Sequence, residues 1–333
     1  MRDVLGIFLS IIFLFLLAVV LFCLVLWVRN RLLCRKEGRT LRPEGVSVNG
    51  HAVNLVLRGS RTPPLILLAS AGTCSPALDF MPLAEALADR RSSVILEHAG
   101  AGYSEDTRLP RDVDSLVEED RQALRAAGVL SPYILTPHSM AGLEALRWAQ
   151  LYPSEVCGIV GIDMAVPQVY AHSQLSRFGV WSGRIAAELG LYRLLPQVVE
   201  AQPQLTENRL TEAQKAEFRA FFHRHGLAIA PQREARSVWE SAKTVMDGGD
   251  VRVPMLLLVS DGRWIAFSDG AEWRQLQHSF AQEQENCRLV ELDCGHYIHQ
   301  YRTEETAAVI LDWLEERSLY VPIRDGTEQT ARA

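Results

Sequence analysis

Six short apolar runs recur along the chain, and helical patterns separate them. The runs are residues 65–69, 93–97, 133–135, 156–162, 254–259 and 288–292. They are nearly continuous in apolar side chains, whereas a strand with one solvated face would alternate polar and apolar residues. A sheet made of such strands must be covered by helices on both faces. The sequence therefore predicts an α/β fold with a mostly parallel sheet.

Residues that can carry chemistry follow four of these runs. They are Ser139, Asp163, Asp261 and His296, after the third to the sixth run respectively. Sites in open parallel sheets form at the carboxyl ends of the strands. We therefore expect these side chains to lie at one edge of the sheet.

The turn at Ser139 joins an apolar run to a helix-forming stretch at residues 143–150. Its sequence is Pro-His-Ser-Met-Ala-Gly, residues 137–142. A sharp strand-to-helix turn with a serine at its tip is the layout of a nucleophile elbow, which holds the hydroxyl above the sheet. Pro137 and Ala141 stand where glycines are usual, although Ala141 is still small. The alternative interpretation is an ordinary turn in which the serine caps the helix.

An apolar stretch without charged side chains occupies residues 4–28. A helix needs about 20 such residues to cross a bilayer core. The apolar region of a signal peptide is shorter, roughly 7–15 residues, and a small-residue cleavage site follows it. Here basic residues follow instead: Arg29, Arg31, Arg35 and Lys36. The stretch is predicted to be an uncleaved single-pass anchor in the cell membrane, with the rest of the chain on the cytoplasmic side.

Composition excludes several classes of protein. A net charge of −6 argues against nucleic acid as a partner. The cysteines form no CxxC pair, so they are expected to be free thiols in a reducing compartment rather than disulfides or metal ligands. They are Cys23, Cys34, Cys74, Cys157, Cys287 and Cys294.

The chain is predicted to divide into an anchor, a linker, one folded domain and a tail. Within the domain, one segment lacks the strand rhythm, is rich in aromatic residues and is expected to form a helical lid over the strand ends. An Asn-Gly turn signal predicts a hairpin where the domain begins. The predicted bounds are 4–28 for the anchor, 29–45 for the linker, 46–318 for the domain, 168–250 for the lid and 319–333 for a disordered tail.

Over about residues 46–318 the chain resembles the α/β-hydrolase family. The resemblance rests on the elbow at 137–142 and on Glu-His-Ala-Gly-Ala-Gly-Tyr-Ser at 97–104, which is similar to the family's Asp-Arg-x-Gly-x-Gly-x-Ser loop. It also rests on Gly-His after the last run and on the chain order Ser, Asp, His. It implies an α/β-hydrolase fold, with a mostly parallel sheet, helices on both faces and a helical lid.

The resemblance implies Ser139 as nucleophile and His296 as its base, because a serine hydroxyl needs a histidine to take its proton. His299 and His138 are alternatives for the base; a side chain next to the nucleophile points elsewhere, so His138 is expected to be structural. A carboxylate must fix the histidine tautomer, and Asp163 and Asp261 compete for that role. Asp163 is favoured, because the family's usual spacing after the fifth run falls on an arginine. Asp269 is a more distant alternative.

An oxyanion hole needs two backbone N–H groups aimed at the developing charge. Met140, directly after the nucleophile, is expected to supply one of them. The loop after the first run supplies the other, from Gly72 or Thr73, and the sequence leaves that choice open.

The expected activity is that of a membrane-anchored serine hydrolase, esterase- or lipase-like, that cleaves an ester or related acyl bond of a lipid-like substrate. No metal or organic cofactor is implied, and no protein partner is identified. Fold alone does not fix the substrate, so an aminopeptidase or haloperoxidase type remains an alternative. The irregular elbow motivates a further alternative, a non-hydrolytic ligand-binding or signalling protein with the same fold.

Overall fold

A computed structural model describes residues 2–41, 44–172, 177–263, 265 and 269–317. The disordered tail predicted at 319–333 lies outside the described residues. In the described part of the chain the six cysteines are free thiols, as the sequence predicts.

One eight-stranded sheet forms the centre of the domain, with the strand order β1-β2-β4-β3-β5-β6-β7-β8. β1, β2 and β4 pair antiparallel, and the remaining pairs are parallel. The predicted mostly parallel sheet is confirmed, and so is the hairpin at its edge. The strands are β1 Val46–Val48, β2 His51–Arg58, β3 Leu65–Leu68, β4 Ser93–Glu97, β5 Tyr133–Pro137, β6 Val156–Ile162, β7 Met255–Val259 and β8 Cys287–Glu291.

One helix precedes the sheet, several cover its two faces, and a group of helices lies between β6 and β7 in the chain. They are α1 Arg2–Glu37, α2 Pro76–Leu87, α3 Val113–Ala126, α4 Ala141–Leu151, α5 Pro167–His172, α6 Arg177–Glu188, α7 Pro196–Glu200, α8 Pro203–Thr206, α9 Glu212–His225, α10 Ala230–Asp247, α11 Gly270–Glu283, α12 Ile298–Tyr301 and α13 Thr303–Glu316. The sequence reading missed α11, which crosses between β7 and β8.

Both faces of the sheet are buried. In β3, Ile66 and Leu68 pack into the core cluster that also includes Trp148 of α4, whereas Leu65 and Leu67 pack into the opposite one, with α2 and α13. Successive side chains of a strand point to opposite faces, so a fully apolar strand is stable only when helices cover both. This explains the continuous apolar runs in the sequence.

Helices α5 to α10, residues 167–247, form an insertion between β6 and β7, which we call the helical insertion. It has a small core of its own that includes Val199, Leu205 and Phe218. This core also takes in Leu78 of α2, so the insertion is packed onto the domain.

α1 does not stop where the apolar stretch ends. It continues to Glu37 and so covers residues 29–37 of the predicted linker. That extension contains neither glycine nor proline, and the helix ends just before Gly38. The part of α1 from Gly6 to Glu37 is long and apolar enough to cross a membrane.

Candidate active site

The turn after β5 strains the backbone at Ser139. The φ angle of this residue is 56°, in the left-handed region that side chains other than glycine rarely adopt. The turn also brings α4 close to the loop after β6. A Cβ on Gly142 would lie 2.3 Å from the carbonyl oxygen of Ala165, so only glycine permits this approach. The geometry is that of the predicted elbow.

His296 reaches the Ser139 hydroxyl from the loop between β8 and α12. Its Nε2 lies 3.0 Å from Ser139 Oγ, and its Nδ1 lies 2.6 Å from Asp163 Oδ2. The side chains are almost completely withdrawn from solvent: Ser139 is 3% exposed, His296 5% and Asp163 0%. The structure therefore links the three through consecutive hydrogen bonds in a dry environment.

Asp163 lies at the end of β6, also with a positive φ, 42°. Besides His296, its carboxylate accepts hydrogen bonds from the Ser260 N–H at 3.0 Å and from the Ser260 hydroxyl at 2.7 Å. Trp273 Nε1 and Gln277 Nε2 donate to it at 3.1 Å each. Burial alone would raise the pKa of Asp163, but the bonds from His296 and Ser260 hold it below its ordinary value.

Trp273 and Gln277 are supporting residues that the sequence reading missed. Both lie on α11 and both are fully buried. Their spacing of four residues places them on one face of the helix. The available signal was the spacing of Trp273, Gln277 and Phe280 at i, i+4 and i+7, which puts the glutamine on an apolar stripe where its amide needs a polar partner.

The other candidate acids have different partners. The Asp261 carboxylate accepts bonds from the Arg263 N–H at 2.8 Å and from Arg263 Nε at 2.6 Å. Asp269 caps α11 by accepting from the Ala271 N–H at 2.8 Å. Of the three carboxylates proposed from the sequence, the structure brings Asp163 to His296.

The alternative histidines belong to a neighbouring buried group. His138 Nε2 lies 3.2 Å from the carbonyl oxygen of His296, and His299 pairs with Asp79 at 3.0 Å. Burial, together with the charges of His296 and His299, lowers the pKa of His138 well below its usual value. His138 is therefore neutral, and its contact with the carbonyl oxygen of His296 supports the backbone of that loop. This agrees with a structural role.

Among the described residues, two buried groups have ligand atoms close enough to hold a metal ion. One is Asp79, His138 and His299, and the other is His98, Asp120 and Glu144. In each group a histidine nitrogen lies close to a carboxylate oxygen: His299 Nε2 is 3.0 Å from Asp79, and His98 Nε2 is 3.2 Å from Asp120. These pairs account for the close approach of the atoms.

The candidate oxyanion donors differ in whether their N–H groups already donate a hydrogen bond within the protein. The Thr73 N–H donates to the carbonyl oxygen of Ser70 at 2.9 Å, which closes a turn. In the described part of the chain, the N–H groups of Gly72 and Met140 have no acceptor. Of the two amides left open by the sequence, Gly72 is therefore the available one.

A cavity of about 190 Å³ lies between this turn and the helical insertion. It extends from Gly72 to Asn30 near the end of α1, and Tyr192, Phe222 and His225 line it. Gly72 thus faces a space bordered by aromatic side chains.

Comparison with known proteins supports the fold. The uncharacterised protein YbdG of Bacillus subtilis strain 168 is 28% identical over 318 residues, which cover 92% of this chain and 97% of that protein. The enol-lactonase of Burkholderia xenovorans LB400 is 18% identical, with a TM-score of 0.60 over 82% of this chain and all of that one. A thermophilic esterase from Thermogutta terrifontis is 17% identical, with a TM-score of 0.55 over 83% and 97% of the two chains. No family model matches the chain.

The two solved structures match 82% and 83% of this chain. At this level the resemblance seen in the sequence is confirmed: the chain has the α/β-hydrolase fold.

Proposed function

We propose that the protein is a membrane-anchored serine hydrolase that cleaves an ester or related acyl bond through an acyl-enzyme on Ser139. The observation that carries this proposal is the hydrogen-bonded series from Ser139 through His296 to Asp163. The esterase and the enol-lactonase among the structural neighbours support the same class of reaction.

In the first half of the reaction, Ser139 Oγ attacks the carbonyl carbon of the substrate while His296 Nε2 takes the hydroxyl proton. Asp163 stabilises the imidazolium that forms and keeps its Nδ1–H directed inward. The negative charge that develops on the carbonyl oxygen is stabilised by the amides of Met140 and Gly72. As the intermediate collapses, His296 gives its proton to the leaving group, and the acyl group stays on Ser139.

In the second half, a water molecule enters and loses a proton to His296 as it attacks the acyl carbon. The second intermediate collapses by breaking the bond to Ser139 Oγ, which recovers the proton from His296. An acid is released, and the side chains return to their starting state.

Membrane anchoring by α1 is supported by what binds its far end. A signal peptide has a small-residue cleavage site after its apolar region, whereas α1 continues unbroken through basic residues to Glu37. Here Arg193 in the helical insertion binds both Asn30 and Glu37 of α1. The basic residues after position 28 favour the cytoplasmic side for the domain, and protease protection in sealed vesicles tests this orientation.

A lipid-like acyl substrate is favoured by the cavity between Gly72 and the end of α1. It is bordered by the aromatic pair Tyr192 and Phe222, whose ring centroids are 6.0 Å apart. Gly72, the proposed oxyanion donor, lines one part of it, and Asn30, two residues beyond the apolar stretch of α1, lines another. The helical insertion over this cavity then acts as the lid.

A fluorophosphonate probe, which reacts with activated serines, tests the proposal. We expect the wild-type protein to be labelled and Ser139→Ala and His296→Ala to remain unlabelled. His278→Ala is the matched control, because His278 is a histidine on α11 whose side chain is 42% exposed and lies beside Glu291 at the end of β8. A folded wild-type protein that stays unlabelled would contradict the proposal and favour a ligand-binding role.

A further inference from the structure

Four large apolar side chains are exposed on the part of the helical insertion next to α1. Trp181 and Ile185 on α6 are 54% and 38% exposed, and Leu194 and Leu195 are 51% and 46% exposed. We call these four residues the apolar patch. Grouped apolar side chains on a protein surface mark contact with a partner or a membrane.

The patch adjoins the contact between α6 and α1. Trp181, Ile185 and Glu188 are spaced i, i+4 and i+7, so they lie along one stripe of α6. At the end of this stripe, Glu188 pairs with Arg31 of α1 at 2.6 Å, and Asn30 Nδ2 donates to the Glu188 carbonyl oxygen at 3.1 Å. The exposed stripe therefore starts at α1.

The other half of the patch is connected to α1 through the residue before it. Arg193 Nε donates to Asn30 Oδ1 at 2.9 Å, and its guanidinium binds the two carboxylate oxygens of Glu37 at 2.7 and 2.8 Å. Leu194 and Leu195 follow directly in the chain, so their backbone is held beside the same helix.

The position of Asn30 sets the depth of the patch. Asn30 lies two residues beyond the charge-free stretch, about 3 Å farther along the helix axis. The headgroup layer of a bilayer is roughly 5–8 Å thick on each side. The contact between α6 and α1 therefore falls at the level of the headgroups of the leaflet from which α1 emerges.

We propose that the apolar patch inserts into this leaflet, so that the helical insertion lies on the membrane that α1 spans. The inference rests on the proposed anchor. Tryptophan and leucine are suited to the boundary between headgroups and acyl chains, and Arg29, Arg35 and Lys36 favour anionic lipid at the same level. The patch thus binds the bilayer surface, and the substrate that reaches the lid from there is a membrane lipid.

Quenching of tryptophan fluorescence by brominated lipid tests the proposal on the full chain. The protein is reconstituted in vesicles of dibrominated phosphatidylcholine and phosphatidylglycerol, with unbrominated vesicles as reference. Trp27→Phe reports the anchor, Trp181→Phe reports the patch, and Trp239→Phe on α10 is the control. We expect the quenched part of the emission to fall in the first two variants and to stay at the wild-type level in the third.

A fall in Trp27→Phe without a fall in Trp181→Phe would overturn the patch and leave the anchor intact. No fall in either variant would overturn the anchor and the patch together. Protection of Trp181 from both lipid and aqueous iodide would assign the patch to a second copy of the chain and overturn membrane contact. Fluorophosphonate labelling of the same samples reports separately on the hydrolase.

His225, the last residue of α9, carries a second inference. Its Nε2 lies 2.7 Å from the carbonyl oxygen of Ala71, and its Nδ1 lies 3.2 Å from the carbonyl oxygen of Gly100. Burial lowers the pKa of His225, so the ring is neutral and has one N–H. The shorter contact assigns that N–H to Nε2, which donates to Ala71.

This bond fixes the peptide unit that contains the proposed oxyanion donor. The Ala71 carbonyl and the Gly72 N–H belong to one planar trans peptide, so they point in opposite directions. With its carbonyl held by α9, the peptide directs the Gly72 N–H away from the helical insertion. We infer that His225 is a positioning residue for the oxyanion site. This inference rests on the proposed hydrolase activity.

Kinetics on a short chromogenic ester test this role in the full chain. His225→Phe removes the donor, and we expect kcat to fall about 10–100-fold with KM nearly unchanged, since loss of one oxyanion donor costs about 10²–10³-fold. His225→Gln keeps an N–H donor and is expected to recover most of the loss. His278→Phe, on α11 and outside the cavity, is the control and is expected to keep the wild-type kcat.

Wild-type kcat in His225→Phe would overturn the inference. Equal losses in the Phe and Gln variants, together with a lower thermal midpoint, would also overturn it and indicate a merely structural role. If the wild-type protein neither hydrolyses the ester nor reacts with the fluorophosphonate, the proposed hydrolase is at fault instead.

Discussion

Asp163→Asn is expected to lower kcat for ester hydrolysis by about 10⁴-fold, whereas Asp261→Asn leaves it within a few-fold of wild type. The carboxylate of Asp163 holds His296 Nδ1–H at 2.6 Å, so that Nε2 is free to accept the serine proton. An asparagine amide in that place presents a donor and favours the wrong tautomer, an effect of this size in serine hydrolase triads. Asp261 binds Arg263 instead.

The pair of variants is compared by steady-state kinetics and by the thermal midpoint of each protein. Asp163 also anchors Ser260, Trp273 and Gln277, so its variant is expected to unfold at a lower temperature. Activity is therefore measured well below that midpoint, where the variant is folded. A 10⁴-fold loss in Asp261→Asn with an active Asp163→Asn would reverse the assignment of the acid.

His98→Asn is expected to lower the free energy of unfolding by about 3–5 kcal/mol near pH 6. His98 Nε2 lies 3.2 Å from carboxylate oxygens of Asp120 and of Glu144, and its Nδ1 lies 3.3 Å from Glu234. All four side chains are buried. Burial and the charge of Glu144 raise the pKa of Asp120 well above its ordinary value, whereas the pKa of Glu144 is lowered beside His98 despite its burial. Removing the cation leaves the buried Glu144 carboxylate without a counter-charge, and breaking a buried ion pair in this way typically costs that much.

The pH dependence of this effect follows from the direction of the shift. Burial alone would lower the pKa of His98, but the charges of Asp120, Glu144 and Glu234 raise it well above the ordinary value. A raised folded pKa stabilises the protein fully below about pH 6.5, the unfolded value, and this contribution is lost as the pH rises through the folded pKa.

Urea unfolding at several pH values measures the effect. The difference between wild type and His98→Asn is expected to be largest near pH 6 and to narrow in alkaline solution. Further ionisable groups near this cluster remain in both proteins: Arg111 with Glu119, His51 beside Glu119, and Tyr170 and His225 near Glu234. His278→Asn is the exposed control, expected to change stability by less than about 1 kcal/mol. A constant difference at all pH values would contradict the assigned charge of His98.

The strands and the serine turn were predictable because their signals are local. A run such as Leu65–Leu68 is apolar on both faces, and this can be seen without knowing its neighbours. The small residues Ala141 and Gly142 after Ser139 likewise predict a tight turn from the local sequence alone. The Asn-Gly hairpin is local in the same sense. His296 was found because the sequence places it after the last strand.

The choice of the acid was not fixed by sequence, because Asp163 and Asp261 both follow buried strands. It depends on tertiary geometry: the left-handed backbone at Asp163 and the bonds from Ser260 on the neighbouring strand end. The choice between Gly72 and Thr73 depends likewise on which amide closes the turn at Ser70. α11 was missed because most of its residues are polar or small and only one face, which carries Trp273 and Gln277, is buried.

The unbroken run of α1 to Glu37 has a kinetic consequence. From Asn30 to Glu37 the helix rises about 10 Å, and it binds the helical insertion at both ends of this span. On the proposed membrane anchor, Ser139 keeps a constant height and tilt relative to the bilayer. Its encounters with substrate then become a two-dimensional search, in which turnover follows the mole fraction of substrate in the membrane rather than its bulk concentration.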